Sequence, residues 1–159
     1  MNSKPLQIIQ EITIPTAIDK VWEFLLNEEK MKQWLHANEF VIDVYEGGNI
    51  EIPLSFDGEN CLVEGEIGLV IPKKKFAFTW IERDDYGETW FNNTMVTIEL
   101  EVVESGTKLS LKHDGFKYLS ENIQASVYHK YQAFWKEQNF LTRLQSLIMD
   151  TKRTTDENP

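Results

Sequence analysis

The sequence predicts an α+β domain in which a curved antiparallel sheet wraps around one long C-terminal helix, with two short helices after the first strand. Two observations carry this reading. From Ser120 to Met149, residues Ile123, Val127, Tyr131, Phe134, Leu141, Leu144 and Ile148 fall on one stripe at 100° per residue, with Gln138 and Gln145 set into it. From Glu39 to His113, apolar residues instead alternate with polar ones in segments joined by short turns. Strands linked so tightly are mostly antiparallel, and such a sheet curls because strands twist. A helix laid across the concave face closes it imperfectly. The gap is the expected ligand cavity, apolar with a few polar groups.

Each element has its own signal. Leu6 to Ile14 alternates, with Leu6, Ile8, Ile12 and Ile14 on one face. Pro15 and Thr16 end that strand, and Thr16 is positioned to cap a helix burying Ala17, Val21, Phe24 and Leu25, with Trp22 beside them. A second helix, Glu29 to Leu35, carries Met31, Trp34 and Leu35. Phe40, Ile42 and Val44 face Ile50, Ile52, Leu54 and Phe56 across a Gly47-Gly48 turn, and Asp57-Gly58 makes the next turn. Cys61, Val63, Gly65, Ile67, Leu69 and Ile71 share one strand face; Phe76, Phe78 and Trp80 share that of the next. Arg83 to Asn93 reads as a polar loop holding Tyr86, Trp90 and Phe91. A last hairpin around Ser105-Gly106 sets Val96, Ile98, Leu100 and Val102 opposite Leu109 and Leu111. The terminal helix, uninterrupted by Gly or Pro from its Ser120 cap, would span about 45 Å.

Composition bounds the function. With 159 residues, 42% hydrophobic, the chain fits one domain over residues 1–150 and a charged tail, 151–159, expected to be disordered. Sixteen basic against 26 acidic residues give a charge of −10, which argues against nucleic acid or an anionic membrane as partner. The single cysteine, Cys61, rules out an internal disulfide, and no signal-peptide pattern is visible, so a cytoplasmic location is expected.

Chemical motifs are sparse. Gly47-Gly48 lacks the rest of a phosphate loop, and His36, His113 and His129 are too scattered for a metal site, so neither cofactor nor metal is expected. His113 continues the Leu109 and Leu111 face; it reads as a hydrogen-bonded structural residue, with a ligand or acid–base role as the alternative. Glu64 and Glu66 form a carboxylate pair whose strand phase turns it to solvent. Cys61 reads as a small packed hydrophobe, Lys73 to Lys75 as a solvated turn. The expected cavity is lined by Trp34, Phe56, Phe78, Trp80, Trp90, His113, Tyr131, Phe134 and Gln138, with Trp135 close by. The same aromatics can also fill the space as plain core. No catalytic set is assigned.

The segments IPTAIDKVWEFLL and EKMKQWL, then VEGEIGLVIPKKKFAFTW, then TKLSLKHDGF before the last helix, resemble the START-like (SRPBCC) superfamily. More narrowly they are similar to proteins related to the C-terminal domain of the activator of the heat-shock-chaperone ATPase. The resemblance covers residues 6–148 and implies a helix-grip fold. It leaves three functions open: binding of a small hydrophobic or aromatic molecule without turnover, a chaperone-associated interaction domain, and a cyclase- or hydrolase-type enzyme. A homodimer contact through the 83–93 loop, or through Phe140 and Leu147 on the off-stripe side of the helix, is a further expectation.

Overall fold

The computed structural model describes residues 6–34, 41–43, 45–56, 59–83 and 94–157. Strand β1 (Ile8–Ile14) is followed by helices α1 (Ile18–Leu26) and α2 (Glu28–Trp34). Six strands come next: β2 (Val41–Ile42), β3 (Asn49–Phe56), β4 (Glu59–Ile71), β5 (Lys75–Arg83), β6 (Thr94–Val103) and β7 (Gly106–Asp114). A short 3-10 helix (Phe116–Tyr118) leads into α3 (Glu121–Gln138) and α4 (Phe140–Glu157). The described strands form one sheet in the order β1-β7-β6-β5-β4-β3-β2, with every neighbouring pair antiparallel. This is the α+β helix-grip architecture.

Alternation decides which face of the sheet is buried. On β1, Ile8 and Ile14 are buried while Ile9 is exposed; on β5, Phe76, Phe78 and Trp80 all point inward. Register sets Ile98 opposite Leu111 and Leu100 opposite Leu109, so the inner face is a continuous apolar layer. Charges take the outer face, where Lys108 meets Glu11 and Lys75 meets Glu99 across strands. Helix α1 seals the layer with Val21, Phe24 and Leu25. Its N-cap is Ala17, which is exposed, and not Thr16. Thr16 is drawn into the turn instead: its N–H donates to the Ile14 carbonyl (2.8 Å) and its own carbonyl accepts from Thr107 Oγ1 (2.9 Å).

Several expectations are corrected. The β4–β5 register slips between Ile67 and Leu69, a bulge at Gly68. One extra residue inverts the phase, so Val70 packs against the core and Ile71, expected inside, is exposed. Val102, next to the end of β6, is 69% exposed. The long helix breaks: Asn139 is left-handed (φ 53, ψ 48) and ends α3, and α4 then runs to Glu157, into the stretch assigned to the tail. Asn tolerates this conformation at little cost, which a sequence without Gly or Pro conceals. The break turns Phe140 inward, fully buried against Phe134 and Trp135, so it forms no dimer contact; Leu147 also packs on the core. Phe40, Val44, Asp57-Gly58, residues 84–93 of the expected loop and the side chain of Cys61 lie outside the described residues.

Strands β4 and β5 approach closely at Gly65, where the ladder skips two residues and the Glu66 N–H donates to Thr79 Oγ1 (2.8 Å). A Cβ on Gly65 would stand 1.9 Å from the Thr79 carbonyl oxygen, whereas one on Gly68 would meet nothing within 4 Å. Gly65→Ala is therefore expected to lower unfolding free energy by about 2–4 kcal/mol in a denaturant titration, and Gly68→Ala to change it by less than about 1 kcal/mol.

Candidate functional site

The site grows from a hydrogen-bond relay beneath α3. Trp135, on α3, donates its indole N–H to His113 Nδ1 at 3.0 Å. Indole is only a donor, so Nδ1 accepts and the histidine proton sits on Nε2. That proton meets Thr94 Oγ1 at 2.8 Å, and the Thr94 hydroxyl donates to the Trp80 carbonyl, also at 2.8 Å. The relay crosses from α3 to β7, β6 and β5. His113 and Thr94 are fully buried, and burial pushes the His113 pKa down from 6.5 to about 3. At neutral pH the ring is uncharged with both nitrogens committed to the protein's own groups, which is the structural role and leaves none for acid–base chemistry.

Around this relay the aromatic side chains converge. Trp80 lies 5.4 Å from His113, 5.7 Å from Tyr131 in an edge contact, 6.3 Å from Phe134 and 5.5 Å from Trp135, ring centre to ring centre. Phe78 joins at 6.2 Å. Phe78, Trp80, His113, Tyr131 and Phe134 thus form one cluster, and at this end they pack on each other. Trp34 ends α2, Phe56 ends β3 and Gln138 ends α3, but their side chains, like the whole of Trp90, are outside the described residues. Gln145 is half-buried on α4, and Glu66 is exposed as its strand phase requires.

A polar group beside the rings was not singled out by the sequence. Glu82, one alternation beyond Trp80 on β5, faces inward with its side chain only 12% exposed. One carboxylate oxygen accepts from Lys130 Nζ at 2.7 Å and the other from the Tyr131 hydroxyl in a short hydrogen bond. The signal was available: the Phe76, Phe78, Trp80 alternation continues to Glu82.

Burial along the helices is uneven. Tyr131, Phe134, Trp135, Phe140, Leu141, Leu144 and Ile148 are sealed, whereas Ile123 and Val127, on the same stripe two turns and one turn before Tyr131, are only partly covered. Glu82, Lys130 and Tyr131 stand at the boundary. Trp80 contributes one more unusual feature there: its indole N–H is buried without a hydrogen-bond acceptor. Two surface hollows are lined by described residues. One of about 440 Å3 sits between Leu6, Met95 and Tyr118, the other of about 450 Å3 beside Ile18, Lys74 and Val102. Among the described residues no three metal-ligating side chains converge and no helix is long and apolar enough to cross a membrane.

A curved antiparallel sheet gripping a C-terminal helix, with an aromatic interior and a few polar groups at one end of the helix, defines a START-like domain. Residues 15–147 match the family described as Activator of Hsp90 ATPase homolog 1-like protein, and the chain belongs to that family. Solved structures share the fold. Protein MLL2253 from Mesorhizobium loti superimposes with a TM-score of 0.69 at 22% identity, covering 91% of this chain and 97% of the other. A protein from Rhodobacter sphaeroides gives 0.70 at 17% identity over 91% and 92% of the two chains. Protein SA2116 from Staphylococcus aureus gives 0.68 at 15% over 94% and 97%. No functionally curated protein matches the sequence.

The relay has a pH signature. An unfolded histidine titrates near 6.5, the folded His113 near 3, so between these values the unfolded chain binds the extra proton. Stability that His113 contributes above pH 6.5 is lost as pH falls toward 3, at up to about 1.4 kcal/mol per pH unit. Replacing His113 with Gln is expected to flatten the stability profile between pH 6 and 4 relative to wild type. In wild type the His113 ring should keep its Nε2–H tautomer by NMR down to about pH 4, a range that rests on the folded value.

Proposed function

We propose that this protein binds a small, largely apolar molecule between the sheet and the N-terminal half of α3, without chemical turnover. The observation that carries this reading is the unfinished seal along α3. Ile123 and Val127 remain part-exposed on a stripe whose later apolar side chains are sealed, beside the charged cluster of Glu82, Lys130 and Tyr131. Apolar surface left beside inward polar groups is what a mainly apolar ligand with a few fixed contacts requires. Covering these two side chains is worth only about 1–2 kcal/mol, so most affinity must come from the ligand's own apolar area. Membership of a START-like family supports the same reading. The buried, uncharged His113 speaks against an enzyme reading, because the one described histidine at the site has no free nitrogen.

A second reading rests on the name of the family, an activator of a chaperone ATPase. In it the outer surface contacts an Hsp90-type chaperone, and stimulation of that chaperone's ATPase is the measurement that decides.

Native mass spectrometry of protein purified without additives is expected to reveal a co-purifying small molecule. Fatty acids, sterols and flavonoids should be screened by thermal shift, where a ligand at a hundred times its Kd is expected to raise Tm by about 5–10 °C. Val127→Asp, at a part-exposed position, should fold and weaken binding by about tenfold or more. A flat response to the whole library would remove the ligand reading.

A further inference from the structure

Every described polar side chain in the ring cluster has a partner except one. Trp135 donates to His113, His113 to Thr94, Thr94 to the Trp80 carbonyl, and Tyr131 to Glu82. The Trp80 indole N–H alone is buried with no acceptor. Leaving such a donor unpaired costs about 1–3 kcal/mol, and native interiors keep few of them. We infer that the ligand of the sheet–helix site is a flat, neutral ring system bearing a carbonyl acceptor, held by the Trp80 indole N–H. This deepens the proposed function and rests on it.

Three observations set the class. Indole offers a donor and nothing else, so the matching ligand group is an acceptor. Glu82 points inward from the same face of β5 two residues on, about 7 Å away along the strand, with its charge already engaged by Lys130 and Tyr131. A carboxylate ligand placed at Trp80 would add a second negative charge beside Glu82, so a neutral carbonyl is favoured over an acid. The surrounding walls are ring faces and edges, of Trp80, Tyr131 and Phe134, which suit a planar partner better than a flexible chain. Trp80 is fully buried, so a ligand reaching its indole must displace the edge of Tyr131 or Phe134.

The test is a matched pair, 9-fluorenone and fluorene, equal in shape and differing at the carbonyl. Wild type is expected to bind the ketone about tenfold more tightly, against the order of hydrophobicity, and Trp80→Phe to bring the ratio close to one. On wild-type protein alone, the Trp80 indole proton should move downfield in NMR with the ketone and much less with the hydrocarbon. That second measurement decides the matter even if Trp80→Phe fails to fold. Equal binding of both compounds with an unmoved indole resonance would overturn the carbonyl assignment and leave the ligand reading standing. Binding of neither would remove the ligand reading itself.

Discussion

The structure depends on a neutral histidine in a place where no water reaches it. His113 is the only described side chain that joins the long helix segment to three strands through one ring, by way of Trp135 on one side and Thr94 with the Trp80 carbonyl on the other. Apart from the bonds of Lys130 and Tyr131 to Glu82, helix α3 meets the sheet largely through aromatic rings, which resist separation but specify position weakly, because a ring pair tolerates a range of offsets. Directional bonds in a low-dielectric interior supply what the rings lack. The arrangement works only while the ring is uncharged. A proton on Nδ1 would remove the acceptor for Trp135 and bury a charge with no counter-ion in contact, which is the reason burial drives the pKa so far down.

From that anchor the rest of the interior follows. Trp80 packs between the relay and α3, and the short β5 alternation that places it also places Glu82 at the edge of the dry region. Glu82 would be a costly inward charge without Lys130 and the Tyr131 hydroxyl, so two neighbouring residues of α3 are set by one carboxylate on β5. The break at Asn139 completes the design. It releases α4 from the direction of α3, turning Phe140 onto Phe134 and Trp135 and letting α4 close against α1, α2 and β1. A straight helix would have carried Phe140 away from the core.

Much of this was legible in the sequence because period is a strong signal wherever one face is buried. The order of elements, the inward faces of β1, β5, β6 and β7, the burial of Tyr131, Phe134, Leu141, Leu144 and Ile148, and the inward His113 all follow from spacing alone. What spacing conceals is a single-residue change of phase. The Gly68 bulge inverts Leu69 to Ile71, and Asn139 resets the helix, each by one residue whose type is merely permissive. Thr16 illustrates a different failure: its backbone is held in the turn by the Ile14 carbonyl and the Thr107 hydroxyl, which leaves it one residue short of the N-cap at Ala17. Glu82 was missed because charge near a loop reads as solvent, although the alternation of its own strand placed it inside.

The helices therefore divide into two parts with different work. From Tyr131 through Ile148 every turn contributes sealed side chains, and the energetic return on burial is nearly complete. From Ile123 through Lys130 the same stripe continues with smaller aliphatic residues and a lysine, and the cover stays partial. A chain selected for stability alone would gain by closing that end, since adding apolar area there costs little and the stripe already points the right way. That it stays open next to an engaged carboxylate, and that Trp80 keeps an unpaired donor at the junction, are two independent departures from a finished core. Such departures cluster where function competes with packing, and here both occur at the same boundary.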